Sequence, residues 1–415
     1  MEKSVSPTKE KVSEHIYDDI ALVILSKLPL KSLIRFSCVC KSWSPLIQNP
    51  YFMTMFRNNF LSKDHSYYND TSLFPPNSTP WNNHNHICRH NLCSLFGERF
   101  ENMVKLDWPK PFEDPFDYII NGSASVNGIL CIQVAGRGPE GILGNGEELE
   151  RHVLWNPATG EFHITPPSPF SFESPSWDPV IDFHGFGYDQ KRDDYKIIRN
   201  VTFFYRFAPD VNETRKDDFD YPFWEMYCLN SNSWKILDID MPIHYYSSGV
   251  HAYIDGVCHW WGESETCKEV YLASFDLSNE TFVKTSIPSN MSEADIDIGI
   301  DDTRFVCRHL VVLNGSIGWL TYYEEVAPTF HISILGEVGV KESWTKLFTV
   351  GPLFGIVHPI GVGKKGDIFF RKDDNELVWF NSNTQRMKEL GIKVDYCCKI
   401  VVYKESFLPF ARKIN

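Results

Sequence analysis

Trp155-Asn156-Pro157-Ala158-Thr159-Gly160-Glu161-Phe162 is the stretch on which the fold turns: a tight Asn-initiated turn followed by an aromatic residue. The same cue returns as Leu229-Asn230-Ser231-Asn232-Ser233-Trp234, as Phe275-Asp276-Leu277-Ser278-Asn279-Glu280-Thr281-Phe282 and as Phe380-Asn381-Ser382-Asn383-Thr384. A degenerate fifth copy runs through residues 335–344. A second cue alternates with it. Asn127-Gly128, Asp255-Gly256, Asn314-Gly315 and Lys365-Gly366 each precede an apolar strand such as Ile129-Leu130-Cys131-Ile132. Asn-Gly and Asp-Gly favour the primed turns that join hairpin strands. Neighbouring copies lie about 45 to 75 residues apart, within reach of a four-stranded propeller blade with variable loops. A single blade has too small a core to stand alone, so radial stacking of aromatics accounts for the twelve tryptophans. The C-terminal strand over residues 397–407 is expected to pair with residues 100–108 and close one more blade.

Upstream the period changes from two to about 3.6. Ile16, Ile20, Ile24 and Leu28 recur every four residues, and Asp18 and Asp19 suit the positive end of a helix starting there. Pro29 ends that helix, since it lacks an amide hydrogen and turns the preceding residue from helical angles. A second helix places Leu33, Phe36, Cys40 and Trp43 on one face, with Val39 beside them. The expected architecture is multidomain α and β. A tail (1–13) leads into a small all-α module (14–60), a linker (61–93) and a mostly-β, propeller-like domain of about six blades (94–410).

Totals narrow the functional classes. The 415-residue chain is 43% hydrophobic and 14% aromatic with a net charge of −14, as befits a well-filled globular core. Residues 1–63 hold nine Lys/Arg against five Asp/Glu, a surplus of four, which leaves −18 on the remainder. An acidic β domain is a poor partner for nucleic acid, whose phosphates demand Lys and Arg. No apolar run near the start approaches the roughly 20 residues that cross a bilayer, and no secretory leader is apparent. Eleven cysteines without framework spacing point to reduced thiols, hence to cytosol or nucleus.

Leu28-Pro29-Leu30-Lys31-Ser32-Leu33 and Val39-Cys40-Lys41-Ser42-Trp43, closed by Asn49-Pro50-Tyr51-Phe52, resemble the F-box motif. Leu154-Trp155-Asn156-Pro157-Ala158-Thr159, Gly185-Phe186-Gly187-Tyr188-Asp189 and Asp194-Tyr195-Lys196-Ile197 are similar to the F-box-associated, kelch-like interaction domain of plant F-box proteins, S-locus relatives included. The resemblance implies that Ile16, Ile20, Ile24, Leu28, Pro29, Leu33, Phe36, Val39, Cys40 and Trp43 dock a Skp1-type adaptor and, through it, a cullin. The chain would then be the non-catalytic substrate-recognition subunit of an SCF-type ubiquitin ligase. Ile16-Tyr17 stands where the family has Leu-Pro, a departure that bears on adaptor affinity. A scaffold that promotes no degradation and a propeller enzyme are the alternatives.

Target capture is expected of loops. Residues 166–179 carry Phe170 and Trp177, and residues 203–224 carry Tyr205, Arg206, Phe207, Arg215, Phe219 and Tyr221, the aromatics and arginines that dominate interfaces. Neither a cofactor nor a metal is expected. Gly136-Arg137-Gly138-Pro139-Glu140-Gly141 matches a dinucleotide fingerprint but leads into more loop instead of a helix. His84, His86, Cys88, His90 and Cys93 lack zinc spacing, and Asp295, Asp297, Asp301 and Asp302 lack a calcium-loop pattern.

Overall fold

The computed structural model describes residues 17–26, 45, 51–52, 71–74, 92–97, 100, 102–106, 117–135, 151–170, 177–205, 222–239, 241–242, 251–263, 269–288, 306–313, 315–363, 367–381, 384–394 and 398–406. The chain divides into two compact units, Met1–Tyr68 and Asn69–Asn415.

In the first unit α1 spans Asp18–Leu25, with Asp18 and Asp19 in its first turn as the sequence predicts. Tyr17 precedes it in an extended conformation (φ −61°, ψ 142°). Ser26 closes it, its amide donating to the Leu22 carbonyl and its hydroxyl to that of Val23, both at 2.9 Å. The second helix and the proline stop lie outside the described residues.

Among the described residues of the second unit the regular elements are all strands apart from one short 3-10 turn. In chain order β1 (Thr71–Phe74), β2 (Leu92–Phe96) and β3 (Asn102–Leu106) precede β4 (Asp117–Val126), β5 (Ile129–Ala135), β6 (Arg151–Trp155) and β7 (Phe162–Ile164). Four quartets follow: β8 (Trp177–Asp189), β9 (Asp194–Tyr205), β10 (Phe223–Cys228), β11 (Ser233–Leu237); β12 (Ala252–Ile254), β13 (Val257–Glu263), β14 (Val270–Asp276), β15 (Thr281–Ser286); β16 (Val306–Leu313), β17 (Ser316–Tyr323), β18 (Phe330–Leu335), β19 (Trp344–Val350); and β20 (Ile356–Val362), β21 (Ile368–Lys372), β22 (Glu376–Asn381), β23 (Arg386–Lys393). Last comes β24 (Val401–Tyr403).

Each of the four later quartets is its own four-stranded antiparallel sheet. The remaining strands form one eight-stranded sheet in the order β3-β2-β1-β24-β4-β5-β6-β7. The propeller therefore has five hydrogen-bonded sheets, not the six separate blades expected. The physical reason is a parallel contact, Val402 opposite Ala124, which fuses two antiparallel quartets. The C-terminal strand also chooses a different neighbour. β24 pairs with β1 instead of the 100–108 stretch, and β3 is the outermost strand of the same quartet. β1 and the start of β2 thus lie inside the expected linker.

Both sequence cues are hairpins. Asn127-Gly128 and Asp255-Gly256 carry positive φ at both residues (54° and 81°, 48° and 90°), the primed-turn signature. The Asn/Asp cue is the turn from third to fourth strand. Asn156 Oδ1 accepts from the Ala158 amide at 3.0 Å, Asp276 Oδ1 from Ser278 at 2.8 Å and Asn381 Oδ1 from Thr384 at 2.8 Å. Third-to-fourth strand hairpins set large residues opposite one another: Trp155 and Phe162, Tyr227 and Trp234, Phe275 and Phe282, Leu335 and Trp344.

The core is the series of apolar layers between adjacent sheets. Ile198, Trp224 and Met226 meet Cys258, Trp260 and Tyr271; Leu272 and Ile287 meet Leu310 and Trp319; Leu320 and Phe330 meet Ile368 and Phe370. Phe369 and Leu377 then meet Leu95 and Ile400, and Val401 with Tyr403 meets Leu130 and Trp155. His152 stacks on Phe183 at 5.6 Å to complete the circuit. Two glycines of the Gly185-Phe186-Gly187 motif follow from this packing. A Cβ on Gly185 would sit 2.7 Å from that of Cys258, and one on Gly187 2.4 Å from the Tyr253 ring.

Candidate functional site

Alternating antiparallel strands sort the connections between the two ends of the propeller. First-to-second and third-to-fourth strand turns share one end and are short, such as 190–193, 229–232, 255–256 and 277–280. Second-to-third strand connections and those between sheets share the other end, and include 136–150, 165–176, 206–222, 238–251 and 287–305. Every long connection leaves from and returns to that second end.

Of the sequence-predicted target residues, the three that are described, Phe170, Trp177 and Tyr205, lie at that end. Trp177 pairs with Tyr205 at the tips of β8 and β9, which run on past the last residues paired with β10. Phe170 lies edge-on to Phe223 at 6.4 Å, and Phe223 lies 6.3 Å from Phe203. Beneath them Ser168 donates to Glu225 at 2.6 Å, Arg199 pairs with Glu225 at 2.6 Å, and the Arg199 guanidinium sits 3.6 Å above the Trp234 ring. Phe170, Trp177 and Tyr205 are therefore brought to one end of one sheet. Arg206, Phe207, Arg215, Phe219 and Tyr221 lie outside the described residues.

Two more side chains at that end escaped sequence reasoning. Val326 and Phe354 are 86% and 78% exposed. They occupy the 324–329 and 351–355 connections, which are tied together by the Leu353 amide donating to the Pro328 carbonyl at 3.1 Å. A lone Val and a lone Phe in short loops break no period, so nothing in the sequence marks them.

The opposite end carries a buried cluster of charged side chains. Asp189 is buried and accepts from Lys196 Nζ at 2.8 Å and Arg192 at 3.0 Å, and from the Ser278 hydroxyl of the next sheet. Burial pushes the Asp189 carboxyl up, but the hydrogen bonds from Lys196, Ser278 and Arg192 outweigh it and hold it well below the usual carboxylate range. Lys196 also donates to the Leu277 carbonyl at 2.7 Å. Tyr253 donates to the Tyr188 carbonyl at 2.9 Å beside it. These groups clamp two sheets together. A perturbed carboxylate can mark a catalytic site, but every partner of this one belongs to the seam between two sheets.

In the first unit α1 is apolar on both faces. Ala21, Leu22 and Leu25 are buried, whereas Tyr17, Ile20 and Ile24 are 72%, 53% and 49% exposed and Val23 lies beside them. Positions 17, 20, 23 and 24 share one helical face. Of the predicted adaptor residues, Ile20 and Ile24 are thus on the open face. Ile16, Leu28, Pro29, Leu33, Phe36, Val39, Cys40 and Trp43 lie outside the described residues. Tyr17, where the family has proline, keeps a φ that proline would adopt, so the departure lies in the side chain and not in the backbone path. Among the described residues no group of three or more His, Cys, Asp or Glu is placed to hold a metal ion.

The described helix thus keeps one apolar face open, and the propeller gathers its long connections at one end. The chain belongs to the F-box associated beta propeller domain family, which it matches over residues 140–411, and it carries an F-box domain over residues 14–54. Arabidopsis thaliana relatives include the F-box protein CPR1, 26% identical over 63% of this chain and 65% of that protein. The F-box protein At4g22390 is 25% identical over 74% of each chain, and At3g16210 is 26% identical over 67% of this chain and 62% of its own length. The chain thus spans slightly less than two thirds of CPR1 and of At3g16210. Among solved structures, AofleA from Arthrobotrys oligospora aligns at 8% identity and a TM-score of 0.38 over 84% of this chain and 96% of its own, too loosely to inform function.

Proposed function

We propose that this chain is the substrate-recognition subunit of an SCF-type ubiquitin ligase, docking a Skp1-type adaptor through α1 and a protein target through the long-loop end of the propeller. The observation that carries the reading is the second apolar face of α1. Ala21, Leu22 and Leu25 already anchor the helix, so the exposed side chains of Ile20, Val23 and Ile24 are left over for a partner. Membership of the family supports the same assignment. Ubiquitin transfer belongs to other subunits, and this chain supplies proximity.

Co-purification with a Skp1-type adaptor tests the docking face. Burying an Ile or Val side chain contributes about 1.5–3 kcal/mol, so Ile20→Asp with Ile24→Asp is expected to weaken the complex by roughly 10²–10⁴-fold. Far-UV circular dichroism of the β domain should be unchanged. Full adaptor recovery by the double variant would overturn the assignment of this face.

The target end has its own test. Val326→Asp with Phe354→Asp is expected to remove proteins recovered by affinity purification in the presence of a proteasome inhibitor, with adaptor recovery unaffected. The melting temperature should stay within about 1–2 °C, because substitutions at exposed positions rarely cost more than about 0.5 kcal/mol. An identical set of recovered proteins would move target capture away from these two loops.

A further inference from the structure

A cavity of about 290 Å³ lies among the innermost strands of the propeller, walled by β4, β16, β20 and the segment entering β24. That is room for roughly ten water molecules at about 30 Å³ each, the scale of a small organic ligand. Most of the wall is apolar, including Val311 and Val402. Four side chains break it: Ser123, His309, His358 and Lys399.

Two of the four are left with nothing to bond. The Ser123 hydroxyl is buried without a hydrogen-bond partner. The Lys399 ammonium makes no hydrogen bond or ion pair with any described residue, and none of the lining residues is an Asp or Glu. Lys399 keeps some accessible surface, as a side chain lining a hollow does, while the protein around it removes most of its water. That enclosure alone lowers it to about 8, so it remains mostly charged at neutral pH. His309 is lowered to about 4, first by burial and then by His358 and Lys399, which leaves its ring neutral. The cavity therefore presents one uncompensated cation and one orphan hydroxyl against hydrocarbon. An enclosed charge without a counter-charge is among the costlier features a fold can carry. The chain as a whole is strongly acidic, yet among the described residues no carboxylate lines this cavity.

We propose that this central cavity binds a small monocarboxylate, its carboxylate held by Lys399 and Ser123 and its hydrocarbon body lying against the Val311 and Val402 wall. A single cation suits a single negative charge, and a phosphate dianion would want more donors than the apolar wall offers. The volume is too small for a folded-in peptide segment. The site is independent of adaptor docking, because it lies wholly within the β domain.

The full chain, titrated with benzoate, benzyl alcohol and inorganic phosphate under calorimetry and thermal melting, tests this. Benzoate should bind saturably and raise the melting temperature, with the alcohol and phosphate at least tenfold weaker. Lys399→Met should abolish the benzoate response while melting no lower than the parent without ligand, since it removes an unpaired, enclosed charge. Ser123→Ala should weaken benzoate about three- to tenfold. No response to benzoate, an equal response to benzyl alcohol or phosphate, or a benzoate response retained in Lys399→Met would each overturn the assignment. So would an acidic peptide that competes for Lys399 while benzoate does not.

Discussion

A chain ending after Asp395 is expected to lose cooperative folding of its β domain altogether. β24 is only three residues long, but it stands between β1 and β4 and is hydrogen-bonded to both. Ile400, Val401 and Tyr403 are all but fully buried. At about 1.5–3 kcal/mol for each large apolar side chain, their loss removes roughly 5–9 kcal/mol. That is comparable to the whole stability of a typical domain, about 5–15 kcal/mol. Hydrogen bonds made by the same segment add to it: Asn156 Nδ2 donates to the Ser406 carbonyl at 2.7 Å, and the Ile400 amide to the Ile360 carbonyl at 2.7 Å. Gly128 belongs to the same closure, for a Cβ there would come within 2.4 Å of the Ser406 side chain. Tryptophan fluorescence against urea reads the outcome. A sigmoidal transition at the parent's midpoint in the truncated chain would show that the ring does not need its last strand.

This closure marks the boundary of what the sequence disclosed. The hairpins were legible because each is local: Asn127-Gly128 and the Asn156 turn carry their own backbone preferences, and the pairs they set up lie a few residues apart. The Thr71–Phe74 strand was not, since four residues in an Asn- and Ser-rich stretch hold no period, and its partner is more than 300 residues away. Strand pairing at that separation is fixed by the packing of the finished ring. For the same reason the fusion of two quartets through Val402 and Ala124 left no local trace. In α1 the four-residue spacing puts Ile20 and Ile24 on the open face, but the unbroken apolar run from Ile20 to Leu25 hides the second face formed by Ala21, Leu22 and Leu25. Asp189 and Lys196 were visible as motif residues, yet their pairing was not, because a seven-residue separation in sequence says nothing until a hairpin folds it back.

That pairing carries the other large effect. Asp189→Ala is expected to destabilise the β domain by about 3–5 kcal/mol, because it strands the buried Lys196 ammonium beside the Leu277 carbonyl with no counter-charge of comparable depth. Glu280, the nearest alternative, is 3.6 Å from Lys196 and is already held at 2.7 Å by Lys235. Asp189→Ala combined with Lys196→Met should cost less than the sum of the single changes, since an apolar pair of similar volume can replace a buried ion pair at little loss. The pH dependence has a definite sign. With its folded-state pKa depressed, Asp189 binds a proton more readily in the unfolded chain, so its contribution is complete above the unfolded value of about 3.9 and is lost as the pH falls below it. Urea unfolding between pH 3 and pH 7 should therefore show a shallower acid slope in Asp189→Ala than in the parent. Parallel slopes, or a double variant as unstable as both single changes added together, would assign the clamp to Arg192 and Ser278 instead of the Asp189–Lys196 pair.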